Sequence, residues 1–444
     1  MAGAATITIT HTGQTQTLNE VNGLNDGIQR IRDAYFAKKI VTENNGPLRV
    51  SFERINEGIL GRQVYLVLET KNMRGLEIDV AIKPSDNKIS GGTDALTLKQ
   101  GSSYHSVFSS KVGDFTALNN SEGKHDHYTN LEILQDKCIV KLQLLPQNAE
   151  TFKIWGENIG NSNGHLTIQV KRADRQDYAF KNESTEQNGE KIFLQDLPFI
   201  VTNKTVYEIY HTENRYKLTD DTASMWLIKN DNSNIIKYFY HDKIDNEHDF
   251  GEFLVTTVQR WIKKNQISRT PNDKVELICK NDFAEYNNNG IHINFLQDYS
   301  GRDYVNPACM AALMGTMADQ NIHDLGFGGF SNSNGDPGVS SSHINGVAGD
   351  IRYLRTDRTG GPCLLSEAVF DYDRQVILNE SLYRYGFGRT INMLSENFKR
   401  NGQVTLLPHT SHYRKKLPDG SLVRHDNHLH MQGFSTSVIQ NLIQ

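Results

Sequence analysis

Apolar and polar residues alternate along much of the chain between residues 48 and 171. The alternation is clearest over residues 64–68, 76–82, 139–145 and 166–170, and turns rich in glycine and asparagine separate these segments. Successive side chains of a strand point to opposite faces of its sheet, so a period of two predicts strands that bury one face. Residues 46–173 are therefore predicted to form an antiparallel β-sandwich, for which an immunoglobulin-like arrangement is one option.

The length and composition of the chain predict a globular protein with several domains. Its 444 residues suit two or three domains, and 37% of them are hydrophobic while 22% are charged. The formal net charge of −5 argues against a general nucleic-acid binder, and no stretch approaches the ~20 apolar residues of a membrane span. The four cysteines are scattered, so nothing in the sequence demands an oxidising compartment.

Two sections flank the predicted sandwich. Residues 1–45 are predicted to be an N-terminal arm with a helix over residues 25–39, where apolar residues such as Ile31 and Tyr35 have helical spacing. Residues 174–197 are polar and charged, and they are interpreted as an exposed linker.

The remaining chain is predicted to hold an α+β region and an α+β domain. Residues 198–300 form the small α+β region, with a helix whose apolar face runs from Phe250 to Ile262. Residues 301–444 form the last domain. It is predicted to contain a helix that starts at Asn306 and Pro307, a second helix over residues 371–383, and a hairpin that turns at residues 418–420.

Two short segments of the last domain concentrate residue types that bind metals. Residues 341–350 read Ser-Ser-His-Ile-Asn-Gly-Val-Ala-Gly-Asp, and residues 425–430 read His-Asp-Asn-His-Leu-His. A catalytic zinc ion takes three protein ligands and keeps a fourth position for water. The two segments can supply those ligands and leave histidines for proton transfer. A His-Asp-His group at residues 125–127 could also bind metal, but its polar surroundings favour an exposed loop.

Together the two segments resemble the LAS group of zinc peptidases, which includes D-Ala-D-Ala peptidases, the hedgehog zinc fold and the penicillin-insensitive murein endopeptidases. The first fits Ser-x-His-x-x-Gly-x-Ala-x-Asp through Ser341, His343, Gly346, Ala348 and Asp350. The second fits His-x-His, and a histidine stands three residues before it, as in the murein endopeptidase branch. The resemblance covers residues 306–434 and implies an α+β zinc peptidase domain.

The resemblance also implies a role for each residue. The ligands of one Zn²⁺ ion would be His343, Asp350 and His430. His425 would take a proton from the attacking water and pass it to the leaving amine, and His428 would reach the reacting carbonyl or its oxyanion. Gly346 and Ala348 are small, which would let the backbone between two ligands turn close to the metal. No residue is predicted to bind another cofactor.

These roles imply a zinc-dependent peptidoglycan hydrolase that cuts peptide cross-links next to D-amino acids. A murein endopeptidase of antibacterial function is favoured, and a carboxypeptidase stays open. The alternative is a structural component of a phage-like or injection apparatus with a non-catalytic zinc-binding domain. An ordinary protein-degrading protease is disfavoured, because the motif belongs to enzymes for short peptides that contain D-amino acids.

The first residues, Met-Ala-Gly-Ala-Ala, lack the basic and apolar regions of a Sec signal peptide. The chain is therefore expected to be made in the cytoplasm and to act in the periplasm or cell wall of a target after delivery by a phage or a contractile injection system. The β-sandwich could bind the wall or the delivery apparatus, and it is expected to be dispensable for bond cleavage.

Overall fold

The computed structural model describes residues 6–11, 14–19, 29–43, 45–120, 123–124, 128–172, 177–178, 183–187, 190–194, 199–214 and 225–443. Only 14% of the structure is helical, and its strands form several separate sheets. The predicted β-rich, multidomain character is therefore confirmed.

The described residues up to 202 form strands β1–β16 and helix α1. The strands are β1 (Thr6–His11), β2 (Gln14–Asn19), β3 (Arg30–Glu43), β4 (Leu48–Arg54), β5 (Glu57–Ile59), β6 (Gln63–Lys71), β7 (Glu77–Pro84), β8 (Leu98–Gln100), β9 (Ser103–His105), β10 (Phe108–Lys111), β11 (Lys137–Gln143), β12 (Gly164–Arg172), β13 (Asp177–Tyr178), β14 (Glu183–Gln187), β15 (Glu190–Leu194) and β16 (Phe199–Thr202). Helix α1 is Ala149–Ile159.

The described residues beyond 202 form strands β17–β37 and helices α2 and α3. The strands are β17 (Thr205–Tyr210), β18 (Met225–Ile228), β19 (Ile235–His241), β20 (Glu247–Gln259), β21 (Trp261–Lys263), β22 (Gln266–Ile267), β23 (Lys274–Cys279), β24 (Tyr286–Asn288), β25 (Ile291–Ile293), β26 (Phe295–Asp298), β27 (Tyr304–Val305), β28 (Leu325–Gly329), β29 (Gly349–Ile351), β30 (Met393–Ser395), β31 (Phe398–Arg400), β32 (Gln403–Thr405), β33 (Thr410–His412), β34 (Arg414–Lys416), β35 (Leu422–Arg424), β36 (Leu429–Met431) and β37 (Ile439–Asn441). The helices are α2 (Pro307–Asp319) and α3 (Tyr372–Arg384).

Two six-stranded sheets enclose the core of the N-terminal half. One has the order β4-β3-β6-β11-β8-β9, and the other has the order β10-β7-β12-β16-β5 with β13 added to β12. Buried side chains from both sheets, such as Leu68 of β6 and Val80 of β7, share one hydrophobic core with α1. The four segments of alternating sequence correspond to β6, β7, β11 and β12, because each buries one face in that core.

The helix predicted over residues 25–39 is wrong for the residues that the structure describes, because Arg30–Glu43 is strand β3. β3 lies between β4 and β6, and both of its faces are buried: Ala34 faces one hydrophobic core and Tyr35 faces another. A strand buried on both faces reads as a nearly continuous apolar run, in which helical spacing also occurs. The strand therefore belongs to the sandwich and not to a separate arm.

Residues 174–197, interpreted as a linker, contain regular structure. Strands β14 and β15 form an antiparallel hairpin, and β13 pairs with β12. Strand β16 then returns to the second sheet, where it pairs with β12 and β5. The sandwich therefore ends near residue 202 and not at residue 173.

A seven-stranded sheet with the order β27-β23-β20-β19-β17-β18-β37 follows the sandwich. The helix predicted across residues 250–262 is wrong, because Glu247–Gln259 is strand β20. β20 pairs with β19 on one side and with β23 on the other. Leu254 and Ile262 would lie on the apolar face of that helix, and both are more than half exposed in the structure.

A β-bulge explains the misleading spacing in β20. The register between β19 and β20 shifts, so that β20 has one extra residue opposite its partner, and Gly251 there has a φ of +96°. A glycine with positive φ is a common way to insert such a residue. The insertion moves the alternation by one position, so Phe250 and Phe253 are both buried although they are three residues apart.

One hydrophobic core spans the two sections that were predicted to divide at residue 300. It contains side chains from the seven-stranded sheet, from α2 and α3, and from a six-stranded sheet with the order β26-β28-β29-β36-β30-β33. Helix α2 is buried from Pro307 to Ala318 and packs against β17, β19, β23 and α3. Strands β27 and β37 lie after residue 300 and still complete the earlier sheet. The predicted boundary is therefore absent.

Other predictions for the last domain are confirmed. Asn306 caps α2, since its Oδ1 accepts a hydrogen bond from Ala308 N at 3.0 Å. The helix predicted over residues 371–383 is α3, and Asp371 caps it by accepting a hydrogen bond from Arg374 N. Strands β34 and β35 form the hairpin expected around residues 418–420. Within the described residues, no helix has the length and apolar character needed to cross a membrane.

A buried ion network joins the sandwich to the seven-stranded sheet. Arg62 donates from Nε to Glu208 Oε1 at 2.6 Å and from Nη2 to Glu247 Oε2 at 2.7 Å, and its guanidinium lies 3.4 Å from the ring centroid of Phe239. His241 Nε2 lies 2.7 Å from Glu208 Oε2. Burial alone would raise the pKa of Glu208, but the charges and hydrogen bonds of Arg62 and His241 lower it to about 2. The sandwich and the seven-stranded sheet are therefore joined by buried charges, and each charge needs its partner to offset the free-energy cost of burial.

Candidate metal centre

Two strands and one turn bring the predicted ligands together. Asp350 of β29 and His430 of β36 stand directly opposite each other in an antiparallel pair, where Cβ atoms lie about 5 Å apart. His343 immediately precedes the 3₁₀ turn Ile344–Gly346. Gly346 has a φ of +65°, and a Cβ at this position would lie 2.7 Å from the backbone nitrogen of Asn306. Glycine is therefore required for the turn that carries His343 towards the sheet.

Three side-chain atoms form a small triangle. His430 Nδ1 lies 2.8 Å from Asp350 Oδ1, His343 Nε2 lies 3.3 Å from the same oxygen, and the two nitrogens are 3.2 Å apart. Ligands placed ~2.0–2.1 Å from a tetrahedral ion are separated by about 3.3 Å, so the triangle is close to the size that such an ion needs. His343 and His430 are buried, and Asp350 is partly exposed. These three residues form a group that could hold a metal ion.

Contacts on the far side of each imidazole include an acceptor for the tautomer that metal binding needs. His430 Nε2 lies 3.1 Å from Ser342 Oγ, and a proton on Nε2 leaves Nδ1 with a lone pair that faces Asp350. When Nδ1 of His343 donates to Phe330 O, which lies 3.1 Å away, Nε2 of His343 is free of a proton. The serine in contact is Ser342, whereas Ser341 of the sequence motif is exposed.

Burial and hydrogen bonding set the charges of the ligand residues. Burial alone would raise the pKa of Asp350, but hydrogen bonds with His343 and His430 hold it well below its ordinary value. Burial lowers the pKa of His343 more than the neighbouring carboxylate raises it. Near neutral pH the carboxylate is therefore ionised and His343 is neutral, and these are the protonation states of metal ligands.

Arg302 lies on the outer side of the three candidate ligands, and no motif in the sequence marks this arginine. Its Nη1 lies 2.9 Å from His343 Nδ1, and its Nη2 lies 3.7 Å from Asp350 Oδ2. The guanidinium also donates to Pro337 O at 3.2 Å and to Gly328 O at 3.4 Å. The residue comes from the loop between β26 and β27, so only the packing of that loop on the sheet brings it to the site.

His425 lies beside the ligand group. Its ring centroid is 5.6 Å from that of His430 and 4.7 Å from that of His428, and the ring of Tyr413 packs against it edge-on at 4.9 Å. Burial, together with the charges of His428 and His430, lowers the pKa of His425 to about 4. Its Nδ1 is buried and has no hydrogen-bond partner among the described residues. Near neutral pH the ring is therefore uncharged and able to accept a proton.

Two residues that the sequence did not mark hold the backbone of His425. Its N–H donates to Glu396 Oε1 at 3.3 Å, and its carbonyl accepts a hydrogen bond from Tyr353 OH at 2.7 Å. Glu396 is itself buried and pairs with Arg424 through two contacts of 3.2 Å. The imidazole is thus carried on a residue whose backbone N–H and carbonyl are both held by hydrogen bonds.

His428 reaches the same carboxylate as His430. Its Nε2 lies 3.8 Å from Asp350 Oδ1, and the residue belongs to the bend that precedes β36. Its Nδ1 lies 2.6 Å from Asn427 Oδ1, so the proton of the neutral ring is on Nδ1 and Nε2 carries a lone pair. Burial lowers the pKa of His428, and the ring is uncharged near neutral pH.

The structure therefore brings together every predicted ligand and both predicted catalytic histidines, while Ala348 is buried in the turn between two ligands. The second group, at residues 125–127, lies outside the described residues. Comparisons with protein-family models, with curated proteins and with solved structures find no match for this chain. Any assignment of function therefore rests on the chemistry of the site.

Proposed function

We propose that this protein is a zinc-dependent peptidoglycan hydrolase of the LAS type, most similar to the murein endopeptidases, which cuts peptide cross-links next to D-amino acids. The observation that carries the proposal is the triangle of His343, Asp350 and His430 with two uncharged histidines, His425 and His428, beside it. The sandwich would bind the wall or a phage or injection apparatus that delivers the protein to the target cell.

The donor set is the reason for proposing zinc. Two neutral imidazoles and one carboxylate are ligands that Zn²⁺ binds readily in tetrahedral sites with one position left for water. A bound zinc ion would act as a Lewis acid and lower the pKa of water to about 7. Ser342 and Phe330 suit this role because each can accept the proton of the far nitrogen, which leaves one lone pair on each imidazole for the metal.

His425 would carry the proton during hydrolysis. Its neutral ring would accept a proton from the attacking water while the new C–O bond forms at the amide carbon. The same proton would then pass to the amide nitrogen as the C–N bond breaks, which yields a carboxylic acid and a free amine. The low pKa of His425 favours this second transfer, since an imidazolium with a pKa near 4 is a strong donor, and makes the ring a weaker base in the first transfer.

His428 would meet the oxygen of the reacting carbonyl. The contact with Asn427 leaves Nε2 without a proton in the neutral ring, so His428 becomes a donor there only when it is protonated. A negative charge that develops on the carbonyl oxygen would raise the pKa of the ring, because an opposite charge nearby favours the protonated form. Stabilisation of the oxyanion would therefore grow as the transition state is approached.

The test is mass spectrometry of muropeptides after purified peptidoglycan is incubated with the zinc-loaded protein, with and without a chelator. Conversion of cross-linked dimers into monomers, abolished by the chelator, is expected for an endopeptidase. Loss of only a terminal D-Ala would identify a carboxypeptidase. Unchanged muropeptides with folded, zinc-loaded protein would overturn the proposal in favour of a structural component, and digestion of casein would indicate an ordinary protease.

A further inference from the structure

We infer that the hairpin of β34 and β35 (Arg414–Lys416 and Leu422–Arg424), called the basic hairpin below, is a subsite for the carboxylate groups of the substrate. The inference rests on the proposed function and specifies the part of the substrate that this protein recognises. Three observations support it: the position of the hairpin, the charge that it carries, and the absence of partners for most of that charge.

The basic hairpin begins and ends at the candidate metal centre. Tyr413 precedes β34, and its ring packs on His425. Arg424 ends β35 and is followed directly by His425. The backbone of Tyr413 is anchored to the sheet, because its N–H donates to Ser395 O at 2.9 Å. The hairpin is therefore joined to the surroundings of His425 at both of its ends.

The basic hairpin is strongly positive although the chain as a whole is acidic. Its two strands contain four basic residues and no acidic ones. The basic residues are Arg414, Lys415, Lys416 and Arg424. Asp419, in the turn, has its Oδ1 engaged by the backbone and hydroxyl of Ser421. All three residues of β34 are exposed, in a chain with a formal net charge of −5. The positive charge is therefore concentrated at one place beside the site.

The pairing of the two strands places like charges together. Arg414 stands directly opposite Arg424, an arrangement that costs stability when both charges are unpaired. Arg424 is neutralised by Glu396 and by Asp426, whose Oδ2 lies 2.7 Å from its Nη2. Arg414 and the two lysines have no carboxylate within ion-pair distance in the part of the chain that the structure describes. Their charge is thus available to an anion from outside.

Carboxylates of a short peptide fit this arrangement. A guanidinium can bind one carboxylate through two parallel hydrogen bonds, and the flanking lysines add point charges. Cross-linked stem peptides carry free carboxylates at their ends and on residues such as meso-diaminopimelate. A nucleic acid would need a broader basic surface than one hairpin on an acidic chain. We therefore assign the subsite to peptide carboxylates.

The experiment uses the full chain with Arg414→Gln, Lys415→Gln and Lys416→Gln combined. The matched control carries Lys88→Gln, Lys111→Gln and Lys399→Gln, three exposed lysines elsewhere, so the net charge changes equally. Two soluble cross-linked muropeptides serve as substrates, one with free carboxylates and one with amidated carboxylates. Binding is measured by fluorescence anisotropy, and cleavage is measured separately as kcat and KM.

We expect the hairpin variant to raise the Kd and KM for the free-carboxylate substrate by about 10-fold with little change in kcat, because each exposed ion pair contributes a few-fold. Added salt should weaken binding by the wild type and have little effect on the variant. The control variant and the amidated substrate should show no such difference.

Equal binding by the hairpin variant and the control would overturn the subsite and leave the hydrolase proposal intact. Conversely, wild-type protein that binds the peptide through the hairpin without cleaving it would overturn the proposed hydrolysis and support the subsite. A short DNA duplex that displaces the peptide more strongly than excess stem peptide, and does so only from the wild type, would overturn the assignment to carboxylates.

Discussion

Nη1 of Arg302 and Nδ1 of His343 are 2.9 Å apart, on the side of the imidazole opposite to the nitrogen that faces Asp350. Arg302 can only donate, and Phe330 O, which also contacts this Nδ1, can only accept. His343 can bind a metal through Nε2 only when its Nδ1 carries a proton. Arg302 then faces an N–H group, and its charge opposes the approach of a cation.

We therefore expect Arg302→Gln to bind zinc more tightly than the wild type, by a few-fold to about 10-fold, because it removes a nearby positive charge. The same change should move the acidic limb of the activity profile to higher pH, since a positive charge favours deprotonation of the attacking water. Chelator competition and a pH profile measure the two effects, and Arg302→Lys should retain most of the wild-type behaviour. Weaker zinc binding by Arg302→Gln would show that the arginine mainly holds the loop.

Ser342→Ala should weaken metal binding by roughly 10–100-fold, the usual effect of removing a partner that orients a ligating histidine. The reason is the contact between Ser342 Oγ and His430 Nε2, which favours the tautomer with a free Nδ1. Ser341→Ala is the matched control, because this neighbouring serine is exposed. Zinc affinity is measured by competition with a chromogenic chelator. Equal affinities for the two variants would contradict the assigned role.

Alanine variants should separate proton transfer from metal binding. His425→Ala should keep its zinc and lower kcat by about 10²–10⁴-fold, the usual contribution of a positioned acid–base group. His428→Ala should also keep the metal and lose rate, whereas His430→Ala should lose metal and activity together. Metal content by atomic absorption is compared with turnover of a cross-linked muropeptide. Loss of zinc from His425→Ala would mean that its ring is a ligand.

The ion network around Arg62, which joins the sandwich to the seven-stranded sheet, should contribute strongly to the free energy of unfolding. Arg62→Ala is expected to reduce the free energy of unfolding by about 3–5 kcal/mol, because it leaves the buried Glu208 without its main counter-charge. Denaturant unfolding followed by circular dichroism measures the change. Lys153→Ala, which removes an exposed cation paired at 3.9 Å, should have an effect below about 1 kcal/mol.

The acid stability of the protein should depend on Glu208. Its pKa is about 2 in the folded state against an ordinary value of 4.5, so the ionised group favours the folded state above pH 4.5. This contribution, on the order of 3 kcal/mol, should be lost as the pH falls from 4.5 towards 2. The difference in unfolding free energy between wild type and Glu208→Gln should shrink over that range. A difference that stays constant with pH would contradict the assignment.

A shortened chain that begins at residue 192 should not behave as an independent enzyme. It would leave β16 without β5 and β12 and would expose Val206, Ile228 and Phe239, which are buried in the core of the sandwich. The alternating pattern of the sequence suggests a front domain that is dispensable for cleavage, whereas the buried interface predicts poor folding and weak zinc retention without it. A folded, zinc-loaded and active fragment would restore the earlier expectation.

The sequence alone determined the features that depend on local spacing. The spacing of apolar residues identified β6, β7, β11 and β12, because every second side chain of each strand lies in the core between the two sheets, and Asn306 marked the start of α2 through capping. The three candidate ligands were identified because two short motifs hold them, and the chain folds so that β29 and β36 become neighbours. Even the turn at Gly346 follows from a conformation that only glycine adopts easily.

Only the tertiary structure decided the features that depend on distant neighbours. Strand β3 resembled a helix because both of its faces are buried, and β20 did so because a bulge at Gly251 shifts its alternation. Arg302 and Glu396 reach the histidines from loops and strands whose packing leaves no mark in the local sequence. The boundary predicted at residue 300 is absent for the same reason. Strands β27 and β37 complete a sheet that begins far earlier, and residues from both sides of the predicted boundary pack into one hydrophobic core.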